Sequence, residues 1–369
     1  MAISVNSARR ATLRNAQLVT NLVNGLPEST RFLILTNDRS AFTIARNDRP
    51  DRVRFLELPY RNPITIWTQD PFLVLSGRQG STLLASKAFE RADDRLMAGA
   101  IARAAGFHTR ASGLFFEGGN IVSDRQNVLI GANTIRRNAL ELGVPETEAV
   151  LRFEEELGRP VLVVGPFPQP IAHIDMMVTP LGDGRIVVAD AAAGARVAEG
   201  AMREDPQSVT AFERWCEEHF FGHPAITELD APNGPIAPPE VRGRTRDMIA
   251  WSRKVAPLLD YVARSLGERG YRVERVPLLF GGPETHPPAE DGEAPMRAAY
   301  PMLTYNNVLI ANDAGGNAVY LPRYGWPAMD EAAKEAWERL GFVAKPVEGL
   351  TISAMYGGAL RCAVKVLAR

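Results

Sequence analysis

The sequence predicts a mixed α/β fold: about five pseudo-symmetric repeats arranged as a propeller, rather than a doubly wound sheet. Three observations lead there. A helical pattern closed by glycine, a short β run, a loop and a hairpin recur in that order. Gly106, Gly158, Gly270 and Gly341 stand where a helix end needs a residue tolerant of positive φ. The turn sequences "GDG", "AGG" and "SDRQN" separate alternating apolar runs, the mark of hairpins.

In chain order, residues 7–24 read as an amphipathic helix with Leu13, Leu18, Leu22 and Val23 on one face, feeding the apolar run "RFLILT". Arg9, Arg10 and Arg14 give this stretch a loose likeness to a transit peptide, which the helix reading outweighs. The first unit continues through "VRFLELPYRNPITIWTQDPFLVLSGRQGSTLLASKAF". The next two are "AAGFHTRASGLFFEGGNIVSDRQNVLIGAN" and "ELGRPVLVVGPFPQPIAHIDMMVTPLGDGRIVVAD". A fourth joins "ERGYRVERVPLLF" to "YPMLTYNNVLIANDAGGNAVYLPRYG", and "RLGFVAKPVEGLTISAMYGGALRCAVKVL" ends the chain on a strand that carries Cys362.

Two segments stand outside the repeat. Residues 191–244 add the helix "SVTAFERWCEEHFF" and a Pro-rich connection, expected as an insertion in which Cys216 packs on the face of Phe212. Residues 281–300 are too long and polar for a simple connector and are expected as a lid. Residues 1–369 are otherwise expected as one catalytic domain.

Bulk properties narrow the partners. The 42 Lys and Arg nearly balance the 43 Asp and Glu, and the pI is about 6.6, so no net field favours nucleic acid or an anionic membrane. No apolar run is long enough to span a bilayer. Two cysteines in 369 residues are too few for a disulfide framework, which points to a reducing, cytoplasmic setting. His219 and His223 lie one helical turn apart, but Gly222 ends the helix and no third ligand is apparent, so neither metal nor cofactor is expected.

Chemistry-bearing residues fall on or just before the hairpins of different units. They are Asp70 in "IWTQD", Glu117 in "EGGN", His173 and Asp175 in "HID", and Cys362 in "GGALRC". In ring-forming repeats, equivalent positions converge, so residues about 290 apart in sequence can share one site. The two-residue strand period puts His173 and Asp175 on one face. A thiol, an imidazole and three carboxylates suit a planar cation: Asp70 and Asp175 would clamp a guanidinium or amidinium through paired N–H···O bonds. That cation would lower the pKa of Cys362, His173 would carry protons, and Glu117 would orient the imidazole.

"WTQDPF", "EGGN", "HID", "YNN", "PRYG" and "GGALRC" resemble, in order, the motifs of the guanidino-group-modifying superfamily, from about residue 31 to the C-terminus. That superfamily includes arginine and agmatine deiminases, bacterial peptidylarginine-deiminase-like proteins and amidinotransferases. The resemblance implies a five-bladed α/β propeller, the pentein fold. It implies Cys362 as nucleophile, His173 as general acid and base, Glu117 as its partner, and Asp70 and Asp175 as guanidinium ligands. Asn306 and Arg323 are then further substrate contacts. Arg361 and Val364 stand where relatives carry His before and Thr or Ser after the nucleophile, Gln69 replaces an Arg, and Asn120 replaces an acid. No counterpart of the relatives' opening strand and Trp-Pro segment is legible before the first helix.

The expected function is a deiminase of a small guanidino compound, such as agmatine or an arginine derivative, releasing ammonia and a ureido product. It belongs to arginine metabolism, and a homo-oligomer is compatible with it. An amidinotransferase or a dihydrolase would use the same covalent intermediate. A non-catalytic pentein scaffold is the alternative of another class.

Overall fold

The structure, a computed structural model, describes residues 1–4, 9–42, 51–59, 62, 64–77, 80–87, 89, 93–219, 244–281, 301–313, 316–350, 353–354 and 357–368. The chain opens with β1 (Ala2–Ser4), α1 (Arg9–Gly25), β2 (Phe32–Thr36) and β3 (Val53–Glu57). There follow β4 (Phe72–Gly77), β5 (Gly80–Ala85), α2 (Met97–Ala105), β6 (His108–Ala111), β7 (Ile121–Ser123) and β8 (Val128–Gly131). Next come α3 (Ala132–Leu142), α4 (Glu146–Leu157), β9 (Val161–Val164), β10 (Val178–Gly182), β11 (Arg185–Asp190), α5 (Ala191–Glu204) and α6 (Pro206–His219). The remainder is α7 (Arg244–Glu268), β12 (Arg272–Leu279), β13 (Leu303–Thr304), β14 (Leu309–Asp313), β15 (Gly316–Pro322), α8 (Pro327–Arg339), β16 (Val343–Val347) and β17 (Val364–Lys365).

These elements form two compact units. One comprises Met1–Val187, Tyr261–Val273 and Arg361–Arg369; the other comprises Val188–Asp260 and Glu274–Leu360. The repeat read from the sequence appears as a recurring sheet. In the first unit β4 pairs antiparallel with β5, and β5 pairs parallel with β6. The same order holds for β7, β8 and β9, and in the second unit for β14, β15 and β16. In each, a hairpin is followed by a helical crossover, which a parallel return requires.

The helices close as the glycines dictate. Gly106 (φ 74°) and Gly158 (φ 65°) cap α2 and α4 in the left-handed conformation, and Gly270 and Gly341 also have positive φ. Above the sheets of the first unit, Met97, Ile101 and Ala102 of α2 pack with Leu33, Leu35, Phe72 and Leu83. Ile135, Ala139 and Phe153 of α3 and α4 pack with Leu84, Ile121, Val128 and Ile130. Each such large side chain contributes about 1.5–3 kcal/mol on burial.

The second unit has an aromatic centre in which Trp326, Trp337, Tyr305, Tyr320 and Tyr324 are fully buried. Asp330 accepts from the Tyr305 hydroxyl (2.9 Å) and from the backbone N–H of Tyr324 and Gly325 (3.0 Å each), fixing the start of α8. Cys216 is buried near Phe212, which stacks on Trp326 with ring centroids 5.1 Å apart. The insertion is therefore described as two helices, α5 and α6. Its residues 220–243, and residues 282–300 of the expected lid, lie outside the described residues.

Three expectations are corrected. A short opening strand does exist: β1 pairs parallel with β2 and antiparallel with β17, with Ala2 opposite Lys365. Residues 174–176 form a single 3₁₀ turn rather than a strand, and β10 begins only at Val178. Cys362 lies in the turn that precedes β17, not on a strand.

Candidate active site

All five predicted reaction residues belong to the first unit, and backbone hydrogen bonds bring their segments together. Gln69 N–H donates to the Cys362 carbonyl (3.1 Å), and the Thr68 hydroxyl donates to the Ala363 carbonyl (3.4 Å). "WTQD" is thereby fastened to the turn that carries the thiol. On its other side, Gly118 N–H donates to the Asp70 carbonyl (2.8 Å), and Gln69 Nε2 donates to the Gly118 carbonyl (3.2 Å).

The Gly-Gly pair of "EGGN" is explained by this close approach, not by φ. A Cβ on Gly118 would overlap the Gln69 carbonyl oxygen. One on Gly119 would stand 2.5 Å from His173 Nδ1 and 2.9 Å from Asp70 Oδ1. The Gly119 N–H donates to Asp70 Oδ1 at 3.0 Å.

Asn120, at the position of the expected acid, organises the turn that bears His173 and Asp175. Its Oδ1 accepts from Ile174 N–H (3.1 Å) and Gln169 Nε2 (3.0 Å). Its Nδ2 donates to Thr134 Oγ1 (2.8 Å) and Gln169 Oε1 (3.2 Å). Gln169 Nε2 also reaches the carbonyls of Ile171 and Ala172, both at 3.1 Å. Met176 N–H and Met177 N–H close the turn on the carbonyls of His173 and Ile174.

The resulting cluster is compact and almost entirely out of water. His173 Nε2 is 2.6 Å from Glu117 Oε2, and Nδ1 is 3.7 Å from Asp70 Oδ1. Cys362 Sγ lies 3.9 Å from Asp175 Oδ1, across 187 residues of sequence. Donor atoms of His173, Asp175 and Cys362 lie within 4.8 Å of one another. Asp70, Asp175 and Cys362 are each no more than 2% exposed, whereas the Glu117 side chain is about one third exposed.

Electrostatics follow from that burial. Burial pushes the Cys362 thiol up to about 11, with Asp175 adding to the rise and the hydrogen bond to His173 opposing it. Burial likewise pushes Asp175 up to about 6, against the pull of Arg361, whose Nε is 3.6 Å away, and of His173. For His173 burial acts downward, but the charges of Asp70 and Glu117 outweigh it and hold the imidazolium well above its ordinary range. At neutral pH the cluster thus holds a neutral thiol beside an imidazolium.

Asn306 and Arg323 belong to the second unit. Asn306 is buried, its N–H donating to Thr304 Oγ1 (3.3 Å). Arg323 pairs with Glu348 (3.2 Å) and, more distantly, with Asp330 (3.9 Å). Arg136 and Arg137 make surface pairs with Glu146 and Glu141. Sequence reasoning missed two contributors. Gln169 gave no signal, whereas Lys365 was visible as a lone charge in the apolar run "AVKVL". The imidazole, carboxylate and thiol are donor types that zinc accepts, but they are also the complete set for thiol-based acyl-like chemistry.

Residues 5–365 match the family described as Porphyromonas-type peptidyl-arginine deiminase. No curated protein matches the sequence. Among solved structures, an agmatine deiminase of C. jejuni shares 14% identity at a TM-score of 0.62, over 98% of this chain and 90% of that one. An agmatine deiminase of Enterococcus faecalis shares 14% identity at a TM-score of 0.60, over 98% and 91%. These likenesses give the fold, the α/β propeller that the repeats predict and the pentein type that the motif resemblance implies.

Proposed function

The chain belongs to the Porphyromonas-type peptidyl-arginine deiminase family, whose members act on guanidino groups, and on that premise we propose that it is a cysteine-dependent deiminase of a small guanidino compound. One observation carries the reading: Cys362, Asp175 and His173 put a sulfur, an oxygen and a nitrogen within 4.8 Å of one another, with Asp70 on the Nδ1 side of the imidazole. Buried anions at Asp70 and Asp175 suit a guanidinium gripped from two sides.

The cycle runs as follows. A guanidinium entering between the two aspartates lowers the Cys362 pKa, and the thiol proton leaves to solvent. The thiolate attacks the guanidinium carbon, forming a C–S bond and a neutral tetrahedral adduct. His173, held as imidazolium by Glu117 and Asp70, protonates one amino group, which departs as ammonia and leaves a thiouronium cation. The now neutral His173 takes a proton from water as its oxygen bonds to carbon. Collapse breaks the C–S bond, returns the thiolate, and frees the ureido product and one proton. The net reaction is guanidinium plus water to urea plus ammonium.

Agmatine and arginine derivatives are the substrates tested first, since the similar solved structures include agmatine deiminases and the family is named for peptidyl arginine. Glu284, Glu290, Asp291 and Glu293, whose charge would attract a cationic tail and so favour agmatine over free arginine, lie outside the described residues. Among the described residues no helix is long and apolar enough to cross a membrane. The low cysteine count of the sequence is the ground on which we place the enzyme in the cytoplasm.

The test is a panel of arginine, agmatine, guanidinobutyrate, methylated arginines and an arginyl peptide, scoring ammonia and ureido product separately. Ammonia with equimolar ureido product is expected from at least one of them. Cys362→Ala should leave less than about 1% of that activity with the fold intact. Ammonia without ureido product would indicate the dihydrolase, and amidino transfer to an added amine the transferase. No turnover and no adduct on Cys362 with a haloacetamidine would leave the non-catalytic scaffold.

A further inference from the structure

Lys365 is a buried ionisable group that this cycle leaves unused. It is 4% exposed, and β17 sets it opposite Ala2 of β1. Its Nζ donates to the Gln69 carbonyl at 2.9 Å, lies 5.0 Å from the centre of the Phe72 ring, and would stand 3.1 Å from a Cβ on Gly118. An ammonium is retained in such a place only where its surroundings compensate the lost hydration. The compensating charges are those of the site: Asp70 on the turn at residues 67–70 and Asp175 on the turn at 174–176, opposed by Arg361 on the turn before β17. Ala2 and Phe72, from the strands packed beside it, carry no charge.

We propose that Lys365 is a positioning residue of the site: its ammonium pins the Gln69 carbonyl, and with it the turn that carries Asp70, and supplies from within the fold a positive charge that favours the anion of Asp175. Asp175 is buried and repelled by the Asp70 carboxylate, and so resists ionisation. A guanidinium relieves that repulsion only after it has bound. Lys365 relieves it beforehand, its ammonium held on the Gln69 carbonyl. Consistent with mutual dependence, burial brings the ammonium down to about 7, with Arg361 acting in the same direction while Asp70 and Asp175 hold it up. Two cations thus stand on the segment of the nucleophile, Arg361 about one third exposed and Lys365 buried.

The inference rests on the deiminase reading for its purpose, but its test does not need turnover. The rate of Cys362 alkylation by cationic chloroacetamidine and by neutral iodoacetamide is followed against pH for the wild type, Lys365→Met and Lys365→Arg. In Lys365→Met, the acid limb of the chloroacetamidine profile should move up by about one pH unit, and the ratio of cationic to neutral rates near neutrality should fall about tenfold. Lys365→Arg should restore both. Equal slowing of the two reagents with an unmoved acid limb would show a merely structural lysine and overturn the proposal. If Lys365→Met does not fold, the wild type decides it. The chain has five lysines, and the Lys365 side-chain resonance should titrate at lower pH once an amidine adduct sits on Cys362; an unchanged titration overturns the proposal. Failure of the deiminase reading would look different: a cation-selective thiol with no ammonia released from any guanidine.

Discussion

Gly119 has no room for a methyl group, because the added carbon would press on both His173 Nδ1 and Asp70 Oδ1. Gly119→Ala should therefore displace the imidazole from its position between Asp70 and Glu117 and lower kcat about 100-fold, the scale on which small misplacements of reacting groups act. Gly113→Ala is the control, since an added Cβ there meets nothing within 4 Å; equal kinetics for the two variants would show that His173 need not stand where it does. Asp70→Asn tests the charge rather than the space. The amide oxygen can still accept from Gly119 N–H, but the anion facing His173 and the guanidinium is gone. Steady-state kinetics should show a raised KM together with a lowered kcat, while wild-type constants would remove Asp70 from the site.

At the level of elements, the sequence was most readable where local geometry alone decides. Glycine at the ends of α2 and α4 is demanded by a left-handed residue, and the hairpins by their turn residues; neither depends on distant contacts. "HID" misled because three residues cannot separate a strand's alternation from one 3₁₀ turn, and the deciding bond, Ile174 N–H to Asn120 Oδ1, spans 54 residues. The apolar stretch around Cys362 read as strand throughout, yet pairing begins only at Val364, where β1 supplies a partner. "YNN" and "PRYG" were legible as motifs but not as a network. In the second unit their Tyr305, Tyr324 and Gly325 converge on Asp330. Asp330→Ala strands three donors, and should cost about 2–4 kcal/mol by denaturant titration. The rate of Cys362 labelling per folded molecule should stay as in the wild type; a lost labelling rate would mean that this network serves the site as well as the fold.

For the whole molecule, the buried charges set a pH dependence of stability whose sign can be worked out. Asp175 titrates at about 6 in the folded protein against an ordinary value of 3.8. Below the ordinary value the carboxyl is protonated in both states and costs nothing. Between about 3.8 and 6 the unfolded chain ionises while the folded carboxyl stays protonated, so stability falls across that window by roughly 2–3 kcal/mol and levels off above it. Asp175→Asn should therefore raise the melting temperature at neutral pH, with the gain shrinking to nothing as pH drops below about 4. Arg361 does not cancel this gain, since its side chain is about one third exposed and can hydrate when its partner is removed. A variant less stable than wild type at neutral pH would refute the account. A different consequence follows from the hydrogen bond between Lys365 and Gln69, which joins positions 296 residues apart. Closing a chain loop of that length costs about 5 kcal/mol in entropy, so the segment bearing the nucleophile should dock only after the hairpins around it have assembled. Until then Cys362 is an ordinary accessible thiol with no preference for a cation. In a refolding experiment the helical signal should recover first and the preference for chloroacetamidine over iodoacetamide last, making the reactivity of one sulfur a clock for the completion of folding.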